Sequence, residues 1–423
     1  MEERPPLTAR TGAERLDGET TEFGSDVIDL LAATLLRALK QEFRSVGTDA
    51  LLAALVLGDS AAGEAIAPGM RRAGSLSGMI HGRAGRGWVS DDSGDNGDGD
   101  DSGDSGDSGD SGDGGDGGRS AVPGDEHEVD AAWRLARRHT IGRFRGEDTV
   151  SGRIWPEPSR ALRACLLHAL RLARAEGRHD VCSRHVARAL LDVPGTRARE
   201  ACVLERLDPA AAYATLDTLD TRAAAGEEEP GTERPQSPAV MVLRRAGLLE
   251  DRSNWLARTV MSWVTGSAVN GTPVVFAVST ETVRQAVRCG RGEVEPIDLL
   301  LAVLALDRAL SIAGRSLPEA LVSANEAAGL LRTHGVRPAS LTLSALAVDP
   351  HPVTENVPLS AAAERTVAVA QLTAAEHGAP GVGTVHLVSA LLDDAEGQVS
   401  EQLRAQGVDL TALKADLSLR LSR

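Results

Sequence analysis

The stretch from Leu359 to Leu421 constrains the fold most, because its helix starts and stops are all marked. Ser360 can cap a first helix, and Gly378 to Gly381 interrupts the helical pattern. Thr384 can cap a second helix, and a third ends at Gly407. Asp409 can cap a fourth. The apolar stripe of the first helix consists of Ala363, Val367, Ala370 and Ala374. The apolar face of the second helix consists of Leu387, Val388, Leu391 and Leu392.

The same pattern recurs upstream, which predicts a repeat protein. Aligned on the turn before the second helix, three further copies centre on Gly47-Thr48, Cys182-Ser183 and Glu295-Pro296. Their second-helix faces are Leu51, Leu52, Leu55 and Val56; Val186, Leu190 and Leu191; and Leu299, Leu300, Val303 and Leu304. The third of these copies is degraded. Its first helix is predicted to be short (280–289), and an insertion at 307–323 delays its third helix, 325–334.

Composition supports an all-α fold. Aromatic residues make up only 2% of the chain, so its cores must be built from Ala, Leu and Val. Such small side chains suit closely packed helices. The main stretch with strand-like β-branched character is short, residues 273–278 (PVVFAV).

The net charge of −16 comes mainly from one tract. Residues 91–118 carry eleven Asp and no basic residue, and outside them 50 acidic residues face 45 basic ones. Like charges without apolar residues predict an extended, disordered linker. No basic stripe interleaved with aromatic residues is present, so nucleic-acid binding is not expected.

Cysteine usage and hydropathy predict a protein of the reducing cytoplasm. Cys165, Cys182, Cys202 and Cys289 form no CxxC pair and no zinc-site spacing, so buried free thiols are expected. We expect no metal, no cofactor and no membrane segment, since no window approaches the about 18 apolar residues of a membrane span.

The domain map follows from the copies and the stretches between them. Two amphipathic stretches, 240–249 and 255–264, predict helices outside the repeat; Trp255, Met261 and Trp263 are more typical of a core than of a binding surface. A helix over 129–138 precedes the second copy. The predicted regions are a disordered N-terminus (1–22), a first module (23–226, with repeats 23–73 and 159–219 and the linker 91–118), a Pro/Glu-rich linker (227–238) and a second module (239–423, with repeats 273–345 and 359–421).

Paired helical repeats with a Gly-Thr-x-His turn (Gly383 to His386) and a closing Gly-Val (Gly407-Val408) resemble the N-terminal domain of Clp-family AAA+ unfoldases. That domain is built from two such repeats, so the chain resembles two of these domains in tandem, joined by disordered linkers. A P-loop needs Gly-x-x-x-x-Gly-Lys-Ser/Thr, and neither Lys40 nor Lys414 lies in one. The resemblance therefore covers the recognition domain without the ATPase modules.

The resemblance implies a binding role and names candidate site residues. Some family members bind phosphorylated arginine, where a helix cap holds the phosphate and a carboxylate in the turn pairs with the guanidinium. The cap position corresponds to Ser159, Ser360 and, beside Gly24, Ser25. The carboxylate position holds Asp49, Arg184, Ile297 and Val385 in chain order, so only Asp49 keeps the charge. For Ser360, Thr384 and Thr48, helix capping alone is the simpler interpretation.

No catalytic motif is recognisable, and His386 fits a structural hydrogen bond in its turn better than catalysis. The sequence thus predicts a non-enzymatic protein that binds a protein or peptide, including Clp protease components or their substrates, as an adaptor or decoy in Clp-dependent proteolysis. One alternative is a regulatory protein whose degenerate repeats bind an unrelated partner or a small molecule. A second is an enzyme with an unrecognised site.

Overall fold

The computed structural model describes residues 20–83, 87–90, 92, 124–143, 154–224, 236–249 and 272–422. Most of the acidic linker and the predicted helix at 255–264 lie outside these ranges. Within them the fold is all-α, as predicted, with four strands of two residues each. None of the helices in these ranges combines the length and apolar character that crossing a membrane requires.

The chain divides into two compact units. The N-terminal unit comprises residues 26–172 and 181–229, and the C-terminal unit comprises residues 1–25, 173–180 and 230–423. The strands are β1 (Glu22–Phe23), β2 (Ser45–Val46), β3 (Glu157–Pro158) and β4 (Asp180–Val181).

The helices up to residue 224 include both N-terminal copies, in each of which a first helix of 16 residues is followed by a second helix of 10 residues. They are α1 (Ser25–Lys40), α2 (Thr48–Leu57), α3 (Ala61–Ile66), α4 (Gly69–Gly82), α5 (Asp125–Arg143), α6 (Arg160–Ala175), α7 (Ser183–Asp192), α8 (Arg197–Leu204) and α9 (Pro209–Ala224). Helix α2 packs against α4, α7 and α8, and α3 packs against α9.

The helices from residue 238 onward build the C-terminal unit. They are α10 (Pro238–Arg245), α11 (Pro273–Arg288), α12 (Pro296–Ile312), α13 (Glu319–Val322), α14 (Ala327–Thr333), α15 (Pro338–Ser344), α16 (Ala361–Glu376), α17 (Thr384–Asp393), α18 (Gln398–Ala405) and α19 (Leu410–Leu421), with a 3-10 turn at Ser323–Asn325.

The core of the C-terminal unit confirms the expected small-residue packing. Its buried cluster consists of Ala, Val and Leu with one Ile and one Cys, and holds no aromatic side chain among the described residues. The predicted second-helix faces are buried in all four copies, and of the first-helix stripe in the last copy only Val367 is half-exposed. The apolar periodicity therefore identified the packed faces correctly.

The strand-like reading of residues 273–278 is wrong, because these residues open helix α11. Thr272 caps this helix through its hydroxyl, which accepts from the N–H of Val275 at 3.3 Å, and Pro273 is at its first position. Val274, Ala277 and Val278 are buried at helical spacing, and this burial outweighs their β propensity. The first helix of the third copy is therefore full length and not short.

Three other predicted segments also differ in the structure. Helix α4 continues to Gly82, so the Gly-rich sequence after Ala73 begins as helix. Helix α12 extends through the start of the predicted insertion at 307–323. Glu22, predicted to lie in the disordered N-terminus, belongs to β1 and is 5% exposed.

Cys165, Cys202 and Cys289 are buried, as predicted, whereas Cys182 is only partly buried. Burial raises the pKa of Cys165 to about 12 and that of Cys202 to about 11. Both therefore remain protonated and weakly nucleophilic at neutral pH.

Gly63 marks a close approach of α3 to α2, because a Cβ there would lie 2.2 Å from the carbonyl oxygen of Leu55. We expect Gly63→Ala to destabilise the protein by about 1–3 kcal/mol, as overpacking does. Gly74→Ala is the matched control in α4, where a Cβ has open space. It should stabilise the protein by about 0.5–1 kcal/mol. Urea unfolding followed by circular dichroism checks both, and equal effects would contradict the packing.

Candidate functional site

In the N-terminal unit, the first helix of one copy begins beside the second-helix turn of another. Strands β2 and β3 pair in parallel, with Ser45 opposite Glu157 and Val46 opposite Pro158. The N–H of Ser159 then donates to the carbonyl oxygen of Val46 at 2.9 Å. This pairing places Ser159, at the start of α6, next to the turn that carries Asp49. Two of the predicted site residues are thus brought together.

The C-terminal unit repeats this arrangement at Ser360. Val294 bridges Leu359 in parallel, and the N–H of Ser360 donates to the carbonyl oxygen of Val294 at 2.9 Å. The hydroxyl of Ser360 donates to Oε2 of Glu295 at 3.3 Å. Alignment of the turns assigned the carboxylate position to Ile297 and so missed Glu295, which supplies a carboxylate from two residues earlier.

A third start–turn pair involves Thr272, which sequence reasoning also missed. Its hydroxyl donates to the carbonyl oxygen of Val382 at 2.8 Å, beside the turn before α17. The signal was present as Thr-Pro at the start of α11, a helix-start pattern. It was hidden by the strand-like sequence that follows.

Two of the three predicted cap residues do cap their helices. The hydroxyl of Ser159 accepts from the N–H of Leu162 at 3.1 Å, and that of Ser360 accepts from the N–H of Ala363 at 3.2 Å. Ser25 does not: it is the first residue of α1, and its buried Oγ has no hydrogen-bond partner. Capping therefore accounts for Ser159 and Ser360 without a ligand.

Asp92 occupies the centre of the Asp49–Ser159 region. Its carboxylate accepts from the N–H of Thr48 at 2.5 Å, from the Thr48 hydroxyl at 2.8 Å and from the N–H of Arg197 at 2.9 Å. Its main-chain carbonyl accepts from the N–H of Ala161 at 3.3 Å. Asp92 is 1% exposed, although the sequence placed it in the extended linker. One side chain and its carbonyl thus satisfy the N-termini of α2, α8 and α6.

Thr48 does not cap its own helix. Its hydroxyl accepts from the N–H of Ala198 at 3.0 Å, so it serves α8. Thr384, the equivalent residue of the last copy, is likewise the first residue of α17 and not its cap, which is Gly383. The buried hydroxyl of Thr384 has no hydrogen-bond partner.

The other second-helix N-termini are also satisfied by side chains from elsewhere in the fold or from their own turn. The N–H of Ser183 donates to Asp26 at 2.7 Å, and the N–H of Thr384 donates to Oδ1 of Asn325 at 3.0 Å. Helix α12 begins with Pro296, which has no N–H; there Asp298 accepts from the N–H of Glu295 at 2.9 Å. External anions would have to displace these groups.

Asp49 lies in an unfavourable environment for a charge. It is 8% exposed, and burial together with the Asp92 carboxylate raises the pKa of Asp49 to about 6, against the opposing charge of Arg197. A raised pKa means that the fold favours the protonated carboxyl. Asp49 is therefore poorly suited to pair with the guanidinium of a phosphorylated arginine. The phosphate of such a ligand would also come close to the Asp92 carboxylate.

The carboxylate position of the other three copies carries no negative charge. Arg184 forms an ion pair with Asp220 of α9, and Ile297 and Val385 are buried at 0% and 1% exposure. The side chains at these positions contribute to packing and to an ion pair, and they provide no negative charge for a cationic group.

The turn histidines have structural hydrogen bonds, as expected for His386. The N–H of Gly383 donates to Nδ1 of His386 at 3.0 Å, and the N–H of Cys182 donates to Nδ1 of His185 at 2.9 Å. Burial, with a smaller contribution from His377, lowers the pKa of His386. Among the described residues, no group of three or more His, Cys, Asp and Glu side chains is placed to hold a metal ion.

Asp49→Asn tests the electrostatics of this region. Since the folded-state pKa of Asp49 is raised, stability is lost as pH increases from about 4 to about 7, by up to about 3 kcal/mol. We expect Asp49→Asn to be more stable than the unchanged chain near pH 7 and to lose this advantage near pH 4. Urea unfolding at the two pH values measures it. Asp59→Asn, at an exposed position just after α2, is the control, and an equal gain there would contradict the assignment.

Comparison with family models finds a match to the C-terminal repeat. The model of the Clp repeat (R) N-terminal domain matches residues 358–423, which begin just before Ser360 and include α16 to α19. A search of curated proteins found no match. This segment is the best-preserved of the four copies, and its helix order and buried faces are those on which the other three were aligned. The match is confined to residues 358–423, so this segment of the chain is similar to a Clp repeat of the Clp N-terminal domain.

Proposed function

We propose that this protein is a non-catalytic recognition protein that binds a protein or peptide and acts as an adaptor or decoy in Clp-dependent proteolysis. The observation that carries the proposal is the Clp repeat at residues 358–423, since such domains mediate protein interactions. Each unit contains two copies of the same helical pattern, which supports a recognition role for each unit.

The described residues of the matched repeat offer apolar contacts to a partner. Leu372 on α16 is 63% exposed, and Leu419 on α19 is 60% exposed. Exposed large apolar side chains have an energetic reason to be covered by a partner. We assign partner contact to these two leucines.

The partner is recognised without phosphoarginine. Asp92 already accepts from the donors at the start of α2 and α8, and its negative charge opposes a phosphate. In the C-terminal unit the aligned carboxylate positions hold the buried Ile297 and Val385. The Glu295 carboxylate there accepts from the hydroxyl of Ser360, so its negative charge likewise opposes a phosphate at that cap.

The proposal is tested by adding the purified chain to a reconstituted Clp unfoldase–protease with a folded substrate. An adaptor raises the rate of substrate degradation, and a decoy lowers it. Double substitution of Leu372 and Leu419 by Asp should abolish the effect, because charged side chains prevent burial of this surface. Free phosphoarginine should leave the effect unchanged.

Val203→Asp is the matched control, since Val203 is 70% exposed but lies on α8 of the N-terminal unit. It should retain the effect of the unchanged chain. No change in degradation rate and no recovery of Clp subunits with the immobilised chain would contradict the adaptor and decoy roles. Turnover of casein or nucleotide by the purified chain alone would contradict the non-catalytic assignment.

A second candidate function is favoured by one observation. A groove of about 370 Å³ in the N-terminal unit lies between α3 and α9, with Ile66, Ala212 and Leu219 among its lining residues and Arg72 and Arg222 beside them. This volume lies within the range of small-molecule sites. Glu64 and Asp208 also line the groove, so its charges are balanced. A regulatory protein that binds a small polar ligand here would show a ligand-induced rise in melting temperature, and Arg222→Gln would reduce that rise.

A further inference from the structure

Three arginines of the C-terminal unit surround one glutamate from the N-terminal end of the chain. Nη1 of Arg288 donates to Oε1 of Glu22 at 2.7 Å, and Nη2 of Arg284 donates to Oε2 at 3.1 Å. Arg308 completes the set with an ion pair to Oε1. Arg284 and Arg288 lie on α11, and Arg308 lies on α12. We call these three arginines the arginine cluster.

The arginine cluster is largely shielded from solvent and needs a negative partner, with the side chains of Arg284 and Arg308 19% and 13% exposed. Arg288 is 2% exposed and is the largest side chain buried to that degree. Glu281 compensates part of the charge by accepting from Arg284 at 2.6 Å. Without Glu22, the three guanidinium groups would lose the carboxylate that each of them contacts in a largely desolvated site, which is unfavourable. The cluster is therefore built around an anion.

The contacts extend beyond one carboxylate to a short peptide. Arg308 donates to the hydroxyl of Thr20 and, at 3.5 Å, to its carbonyl oxygen. The Thr20 hydroxyl in turn donates to Oε1 of Glu22 at 3.2 Å. The arginine cluster thus recognises a Thr-x-Glu segment by side chain and main chain together. In sequence this segment is acidic, Asp-Gly-Glu-Thr-Thr-Glu over residues 17–22.

The environment keeps Glu22 charged. Burial by itself would raise the pKa of Glu22, but the charges of Arg288, Arg308 and Arg284 outweigh burial and hold it well below its usual range. A cavity of about 20 Å³, lined by Thr20, Glu22 and Arg308 among others, adjoins the contact and has room for about one water.

We propose that the arginine cluster is a docking site for acidic peptide segments with a hydroxyl residue two positions before a glutamate, and that residues 20–22 occupy it as a tethered ligand. A partner segment of this chemistry would replace one carboxylate by another, so the ion pairs are conserved in the exchange. The tether supplies an effective concentration of about a millimolar, which a partner must overcome. The proposal goes beyond the Clp connection and does not depend on it.

A labelled peptide with the sequence of residues 17–24 tests the site by fluorescence anisotropy with the full chain. Glu22→Gln weakens the resident ligand, and we expect this variant to bind the peptide at least about tenfold more tightly than the unchanged chain. Adding Arg308→Gln to the Glu22→Gln variant should reverse this gain in affinity for the peptide. Arg365→Gln, an exposed arginine on α16, is the matched control and should preserve it.

Three outcomes would overturn the proposal. The first is equal affinity of the unchanged and Glu22→Gln chains for the peptide. The second is equal affinity for a peptide in which Gln replaces the glutamate that corresponds to Glu22. The third is displacement of the labelled peptide by about millimolar inorganic phosphate as effectively as by unlabelled peptide. The unchanged chain gives an independent readout that does not depend on the stability of a variant. Excess unlabelled peptide should accelerate hydrogen exchange at residues 20–24, and unaltered exchange would also overturn the proposal.

Discussion

The structure depends on how the N–H groups at buried helix N-termini are satisfied. Each second helix of a copy begins inside the fold, where unpaired N–H groups would be costly. Asp92, Asp26 and Asn325 each bring an oxygen to such a helix start, and each is distant in sequence from the helix that it serves. These acceptors hold short helices with shallow Ala-rich faces in place, where apolar burial alone leaves polar groups unsatisfied.

The same donors could hold a phosphate or carboxylate of a ligand, so capping and ligand binding compete for one set of N–H groups. In this chain, side chains of the protein itself accept from these N–H groups. Asp92 serves three helix starts, and the pKa of Asp49 is raised beside it, so that neither residue is available to a phosphorylated arginine. The helical framework shared by the copies is thus retained while its turns are used for packing.

Buried charge is handled in opposite ways in the two units. Burial and a neighbouring carboxylate raise the pKa of Asp49 to about 6, whereas three arginines lower the pKa of Glu22 and keep it ionised. In the first case the protein loses stability when the group ionises. In the second, the carboxylate is required because it compensates cations that are already buried.

The sequence by itself determined the helices, their buried faces and most of their ends, since these depend on local periodicity and on residues such as Gly407 and Asp409. It misassigned residues 273–278, where burial at helical spacing outweighed β-branched composition. Only the tertiary structure decided which helix starts meet which turns, that Thr272 and Glu295 belong to those pairs, and that Asp92 and Glu22 leave polar sequence to become buried ligands of the fold. These contacts join residues from 44 to 286 positions apart, and no local pattern encodes such pairings.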